Sequence, residues 1–152
     1  MMRKFPVATL LACLTVSLSA CAAEVHSDTA HTAAAEGVTR GVFASRTVSL
    51  DDAQGVCVLN YEGHPPLKLD MQWPCRFSED QAHQLRIESF KQTPILMVER
   101  SEPMPPPSRN CKTDRQPVRL LNGKLEAAPV GRIATCGPAH WDQKAFTAMF
   151  DW

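Results

Sequence analysis

Val118-Arg119-Leu120-Leu121-Asn122-Gly123-Lys124-Leu125-Glu126-Ala127 reads as a β-hairpin. Asn122-Gly123 lies between two short apolar-polar runs. Both central residues of a type I′ turn need positive φ, which Asn and Gly adopt at least cost. Outward from this hairpin, Val130 to Cys136 predicts a further strand, stopped by Gly137-Pro138. Upstream, Pro94-Ile95-Leu96-Met97-Val98 is a continuous apolar run ending in Glu99-Arg100. Such a run suits a strand covered on both faces, at the centre of its sheet.

Further upstream, Val42 to Leu50, closed by Asp51-Asp52, predicts one strand, and Val56 to Tyr61 a second. Gly63-His64-Pro65-Pro66 breaks the pattern. Leu67 to Met71 then alternates apolar and polar with period 2, as a half-buried strand does, and Trp73-Pro74-Cys75 ends it. Ser78-Glu79-Asp80-Gln81 has the form of a capping box and predicts a short helical turn. Leu85 to Glu88 alternates again. Ser101 to Asn110 carries Pro103, Pro105, Pro106 and Pro107 around Met104, which predicts a stiff polyproline II loop with Met104 at its tip. Its role is either a partner-binding loop or a rigid connector. Trp141, Ala145, Ala148, Met149 and Trp152 fall at helical spacing and predict a C-terminal helix packed on the sheet, although Phe146, Ala148 and Phe150 also fit a strand. The expected fold is mainly β, an antiparallel sheet or small barrel or sandwich over residues 37–152, with one or two short helices.

The N-terminus has a different character. Arg3 and Lys4 precede a short apolar run over residues 7–18, which Leu18-Ser19-Ala20-Cys21 closes. A run of this length falls short of the roughly 20 residues that a membrane-spanning helix needs, and it reads as an export signal. Its last four residues resemble the lipobox of bacterial lipoproteins. That resemblance implies cleavage after Ala20 and acylation of Cys21, with the lipid bilayer as a partner; two acyl chains already give stable anchoring. Leu10-Leu11-Ala12-Cys13 has the same form but leaves too short an apolar segment, and Ala20-Cys21-Ala22 also fits an ordinary signal peptidase. Ala22 stands where an aspartate commonly retains such lipoproteins in the inner membrane of Gram-negative bacteria. The resemblance thus implies the periplasmic face of the outer membrane. Residues 22–36 are small and polar, too poor in apolar surface to offset ordering entropy. They read as a tether with a mean span of roughly 20 Å and a limit near 50 Å. His26 and His31 in it read as solvated rather than metal-binding.

Loss of residues 1–20 removes Arg3 and Lys4 and no acidic residue, leaving 14 basic and 16 acidic side chains. A charge near −2 gives neither the electrostatic footprint of a nucleic-acid binder nor a polybasic patch for lipid headgroups. Of six cysteines, Cys13 leaves with the signal and Cys21 takes lipid, so Cys57, Cys75, Cys111 and Cys136 remain. In an exported chain an even number reads as two disulfides. Three pairings are possible. The sequential one, Cys57–Cys75 and Cys111–Cys136, closes modest loops and is the expectation. The spacing does not match a zinc knuckle.

No Gly-x-Ser-x-Gly elbow, phosphate loop or His-Glu-x-x-His occurs, and His64, His83 and His140 are scattered. His140 beside Trp141 and Asp142 is the one candidate base. No cofactor is implied. The expected function is a non-enzymatic binding module on an envelope protein, acting as an inhibitor or immunity protein against an envelope enzyme or toxin. The alternatives are an accessory subunit of an envelope assembly or secretion machine and a small hydrolase. Met104, Trp73 and Trp141, beside Pro-rich or Gly-Pro turns, are the expected partner-binding residues.

Overall fold

The computed structural model describes residues 37–152. The expected signal over residues 1–20, the expected tether over residues 21–36, the expected acyl site Cys21, and His26 and His31 lie outside the described residues. Within them the chain is built from antiparallel strands. The first four, β1 (Arg40–Phe43), β2 (Arg46–Ala53), β3 (Val56–Tyr61) and β4 (Leu67–Gln72), form a meander in chain order. The next six are β5 (Arg76–Phe77), β6 (Ile87–Phe90), β7 (Thr93–Pro103), β8 (Cys111–Leu121), β9 (Lys124–Ala127) and β10 (Gly131–Ile133). The long β7–β8 pair is the spine of this second sheet. β5 and β6 both pair along the outer edge of β7, and β9 and β10 both pair along the outer edge of β8.

Alternation along β7 explains its unbroken apolar run. Leu96 and Val98 point to one side and, with Val118 of β8, meet Phe43, Val48, Leu50, Leu59, Tyr61, Leu69 and Met71 of the first sheet. Ile95 and Met97 point to the other side and pack against Ala145 and Phe146 of α1 (Gln143–Thr147), the one helix among the described residues. The central strand is therefore covered twice, as Pro94 to Val98 predicts. Each fully buried side chain of this size contributes about 1.5–3 kcal/mol relative to exposure. Gln116, buried toward the first sheet, joins the layers. Its Oε1 accepts from the Asp70 N–H at 2.8 Å, and its Nε2 donates to the Ala128 carbonyl at 2.8 Å. Pro117 lacks an N–H, and it sits where the neighbour of β8 changes from β10 to β9; its carbonyl accepts from the Ala128 N–H.

Four hairpins turn on two residues each, and all eight turn residues have positive φ: Ala44-Ser45, Gln54-Gly55, Lys91-Gln92 and Asn122-Gly123. Asn122-Gly123 is the hairpin expected from sequence. Ala44-Ser45 corrects the single strand expected over Val42 to Leu50, which is instead β1, a turn and β2. Neither Ala44-Ser45 nor Lys91-Gln92 has a residue that favours the left-handed region, a conformation that costs an ordinary residue about 1 kcal/mol or more. Strand pairing on both sides holds them there.

Three further expectations are corrected. Ser78 caps no helix: it is buried, its N–H donates to the Met97 carbonyl, and residues 79 and 85 form a β-bridge. Asp80 organises the turn instead, its Oδ1 accepting from the N–H groups of Ala82 and Gln84. Ser101 to Pro103 belong to β7, because they pair with Cys111 to Thr113. Only residues 104–110 form the loop, and the Met104 N–H donates to the Asn110 carbonyl, so Met104 stands at the base of the loop rather than at its tip.

Both expected disulfides are present. Cys111–Cys136 clips the start of β8 to the segment after β10. Cys57–Cys75 joins β3 to the residue before β5, and so ties the two sheets rather than neighbouring strands of one.

Candidate functional site

The far face of the second sheet, away from the first, carries the candidate site. Antiparallel register sets Glu99 of β7 opposite Arg115 of β8, and opposed residues share a face. Beyond β10 the chain crosses this face as Gly137-Pro138-Ala139-His140-Trp141 and enters α1. Gly137 lets the chain pass close to the Arg76 guanidinium, which would have to shift to admit a Cβ there. Its N–H donates to Ser101 Oγ at 3.0 Å. Asp142 then caps the helix, its Oδ1 accepting from the Ala145 N–H at 2.8 Å. The five-residue helix is too short to stand alone in water. Phe146, fully buried, anchors it.

Arg86, just before β6, and Arg115 and Arg119 of β8 stack on aromatic rings of this terminal segment. The Arg86 guanidinium lies 5.1 Å from the Phe146 ring, Arg115 lies 4.9 Å from Trp141, and Arg119 lies 4.6 Å from Phe150 and 4.9 Å from Trp152. Such contacts contribute about 0.5–1 kcal/mol when exposed and about 2 kcal/mol when desolvated. Arg86 also donates to the Trp141 carbonyl, and Arg119 to that of Asp151.

Beneath Trp141 lies a buried carboxyl group. Glu99 is fully buried, accepting from the Trp141 indole N–H at 2.7 Å and from Arg76 Nε at 3.1 Å. Burial pushes its carboxyl above the usual range, outweighing the lowering effects of the indole and of Arg76. The native state thus keeps the Glu99 proton to higher pH than the unfolded chain does. The stability this adds is full below the unfolded value and is lost as pH rises through the folded one. Glu99→Gln cannot titrate. In urea melts across the acid range, wild type is expected to lose stability relative to Glu99→Gln as pH rises through that window, at up to about 1.4 kcal/mol per pH unit. A difference that does not vary with pH would mean an ordinary carboxyl.

Arg115, His140, Trp141, Asp142, Lys144, Ala145 and Ala148 line a pocket of about 450 Å³, open to solvent. Arg115, Lys144 and His140 supply donors, and Trp141, Ala145 and Ala148 supply apolar surface. No family model, curated protein or solved structure matches this chain.

Of the residues expected from sequence, His140 and Trp141 come together here, while Met104 and Trp73 do not. Trp73 is half-buried against the inter-sheet core. Met104 is 45% exposed, on the β7–β8 loop. His64 stacks beside Tyr61, and His83 sits 3.0 Å from Glu79. Cys57, Cys75, Cys111 and Cys136 are all in disulfides, which removes them as metal ligands or nucleophiles. Sequence reading missed Glu99, Arg115 and Lys144. Glu99 reads there as the end of an apolar strand, and nothing local marks Arg115 or Lys144 as neighbours.

Proposed function

We propose that this protein is a lipid-anchored envelope module that binds another protein without chemistry of its own, as an inhibitor or immunity protein does. The observation that carries the reading is the open pocket in which Arg115 stacks on Trp141. Arginine and tryptophan are the side chains that dominate protein interfaces, above all when held in place before contact. Here both are held by the sheet, by Glu99 and by the docked helix. Leu18-Ser19-Ala20-Cys21 supports the anchoring, and two disulfides are in keeping with an oxidising compartment.

The test uses the full chain in its native cells with a photo-cross-linking residue at Lys144. One discrete adduct to an envelope protein is expected, absent when the same residue replaces the exposed Lys68 of β4. Cys21→Ser should move both protein and adduct out of the membrane fraction. An adducted enzyme or toxin supports the inhibitor reading, whereas a component of a secretion or assembly machine supports an accessory subunit. Absence of any adduct, with a hydrolytic activity that His140→Ala abolishes, would overturn both in favour of an enzyme.

A further inference from the structure

Five arginines of the described residues are half-buried, and four of them meet a glutamate. Arg76 pairs with Glu99, Arg86 with Glu88, Arg100 with Glu102 and Arg119 with Glu126, at 2.6–3.1 Å. Arg115 is the fifth, and it pairs with no carboxylate among the described residues. Its Nε is buried and without a hydrogen-bond partner there, as is that of Arg100, but the Arg100 guanidinium meets Glu102 through its Nη1. The contrast is sharpest among the three arginines stacked on the terminal segment. Arg86 and Arg119 each combine an aromatic ring with a glutamate, while Arg115 has the ring alone. A half-buried guanidinium with no counter-charge is costly, so the missing carboxylate at Arg115 is informative.

The surroundings define what completes it. Lys144 and His140 face the same pocket, and the acidic group on its wall, Asp142, is already engaged in capping α1. Glu99 behind Trp141 is held by Arg76 and by the indole. With Arg115 and Lys144 against Asp142, the pocket carries an excess of positive charge. Arginine receives carboxylates in a planar, bidentate fork. A small-molecule site encloses roughly 70–90% of its ligand's surface, whereas this pocket is open and suits one side chain projecting from a larger body.

We propose that the Arg115 pocket takes a carboxylate, that of an aspartate or glutamate side chain on the surface of the protein partner. The inference rests on the protein-binding reading above. It makes Arg115 the central donor, Lys144 the second, and Trp141 the platform that holds the guanidinium in place.

The test is NMR of the full chain in detergent micelles with ¹⁵N-labelled tryptophan, the Trp141 indole signal being assigned by its loss in Trp141→Phe. Three probes are titrated: N-acetylglutamate α-amide, its neutral isostere N-acetylglutamine amide, and inorganic phosphate. The glutamate probe is expected to move the Trp141 signal saturably and leave that of Trp73 in place, with an effect at least five-fold larger than either other probe. Arg115→Gln should abolish the response and Lys144→Gln should weaken it several-fold. If Arg115→Gln does not fold, the exposed Lys144→Gln carries the comparison. Equal responses to glutamate and glutamine probes, a stronger response to phosphate, or none at all would each overturn the carboxylate. The probe is not a protein, so the two readings fail separately. A silent titration with the cross-linked adduct intact removes the carboxylate alone, and a saturable titration with no adduct removes the protein partner.

Discussion

Replacing Cys57 and Cys75 together by alanine is expected to cost about 4–5 kcal/mol. The bridge closes a loop of 18 residues, for which restriction of the unfolded chain gives about 3 kcal/mol. Both cysteines are also buried in the core shared by the two sheets, so their loss leaves a void that adds to the entropic term. The Cys111–Cys136 bridge spans 25 residues, but Cys136 is exposed. Its removal should cost about 3.5 kcal/mol, mostly chain entropy, since Cys111, though buried, lies outside both core clusters. Urea unfolding of the two double variants under identical conditions checks the order. A Cys111/Cys136 variant as destabilised as the Cys57/Cys75 variant would mean that joining the sheets adds nothing beyond loop closure.

Phe146→Ala should cost about 3–5 kcal/mol, the range for removing a fully buried phenylalanine. Its ring meets Ile95 and Met97 from the sheet and is flanked by Phe90, Trp141 and Phe150. The loss should be local in its consequences. A five-residue helix has no stability of its own, so the terminal segment loses its seat while the inter-sheet core keeps its contacts. Two readouts separate these effects. Urea midpoints report the cost, and the Trp141 indole N–H should exchange faster with solvent once its bond to Glu99 is no longer held. A cost under 1 kcal/mol, with that N–H still protected, would place the anchor elsewhere.

The parts of the fold legible in the sequence are those decided by neighbours along the chain. Asn122-Gly123 names its own turn, Leu67 to Met71 its alternation, and Pro94 to Val98 its double burial. Of three possible disulfide pairings, the one favoured by its modest loops is the one present. What escaped reading was decided across the fold. Ala44-Ser45 and Lys91-Gln92 turn because the strands on either side pair, against the preference of the residues themselves. Ser78 has the chemistry of a helix cap, but its backbone is engaged by Met97 of β7. Ser101 to Pro103, rich in turn signals, are drawn into β7 by Cys111 to Thr113.

The candidate site was half legible for the same reason. Trp141 and His140 announce themselves beside Gly137-Pro138. Arg115 lies in the middle of β8, and Glu99 looks like the polar end of an apolar run. Their association depends on the register of β7 with β8 and on a terminal segment folding back over both. Neither is a property of any short window of sequence.

The four tight hairpins bear on how the chain reaches this state. Six of the eight strand pairings join strands adjacent in sequence, and only β5 with β7 and β10 with β8 skip a neighbour. Rates among β proteins fall as contacts become more distant along the chain, because a long loop must be closed before its contact stabilises anything. Here each pairing from β1 to β4 needs only a short connection to be closed, and an isolated hairpin forms in about 1–10 μs. The same holds from β6 to β9. The topology thus leaves only the closures at β5, at β10 and at the two bridges to depend on distant segments, and it is expected to keep short the time that unpaired strand edges stay open to other chains.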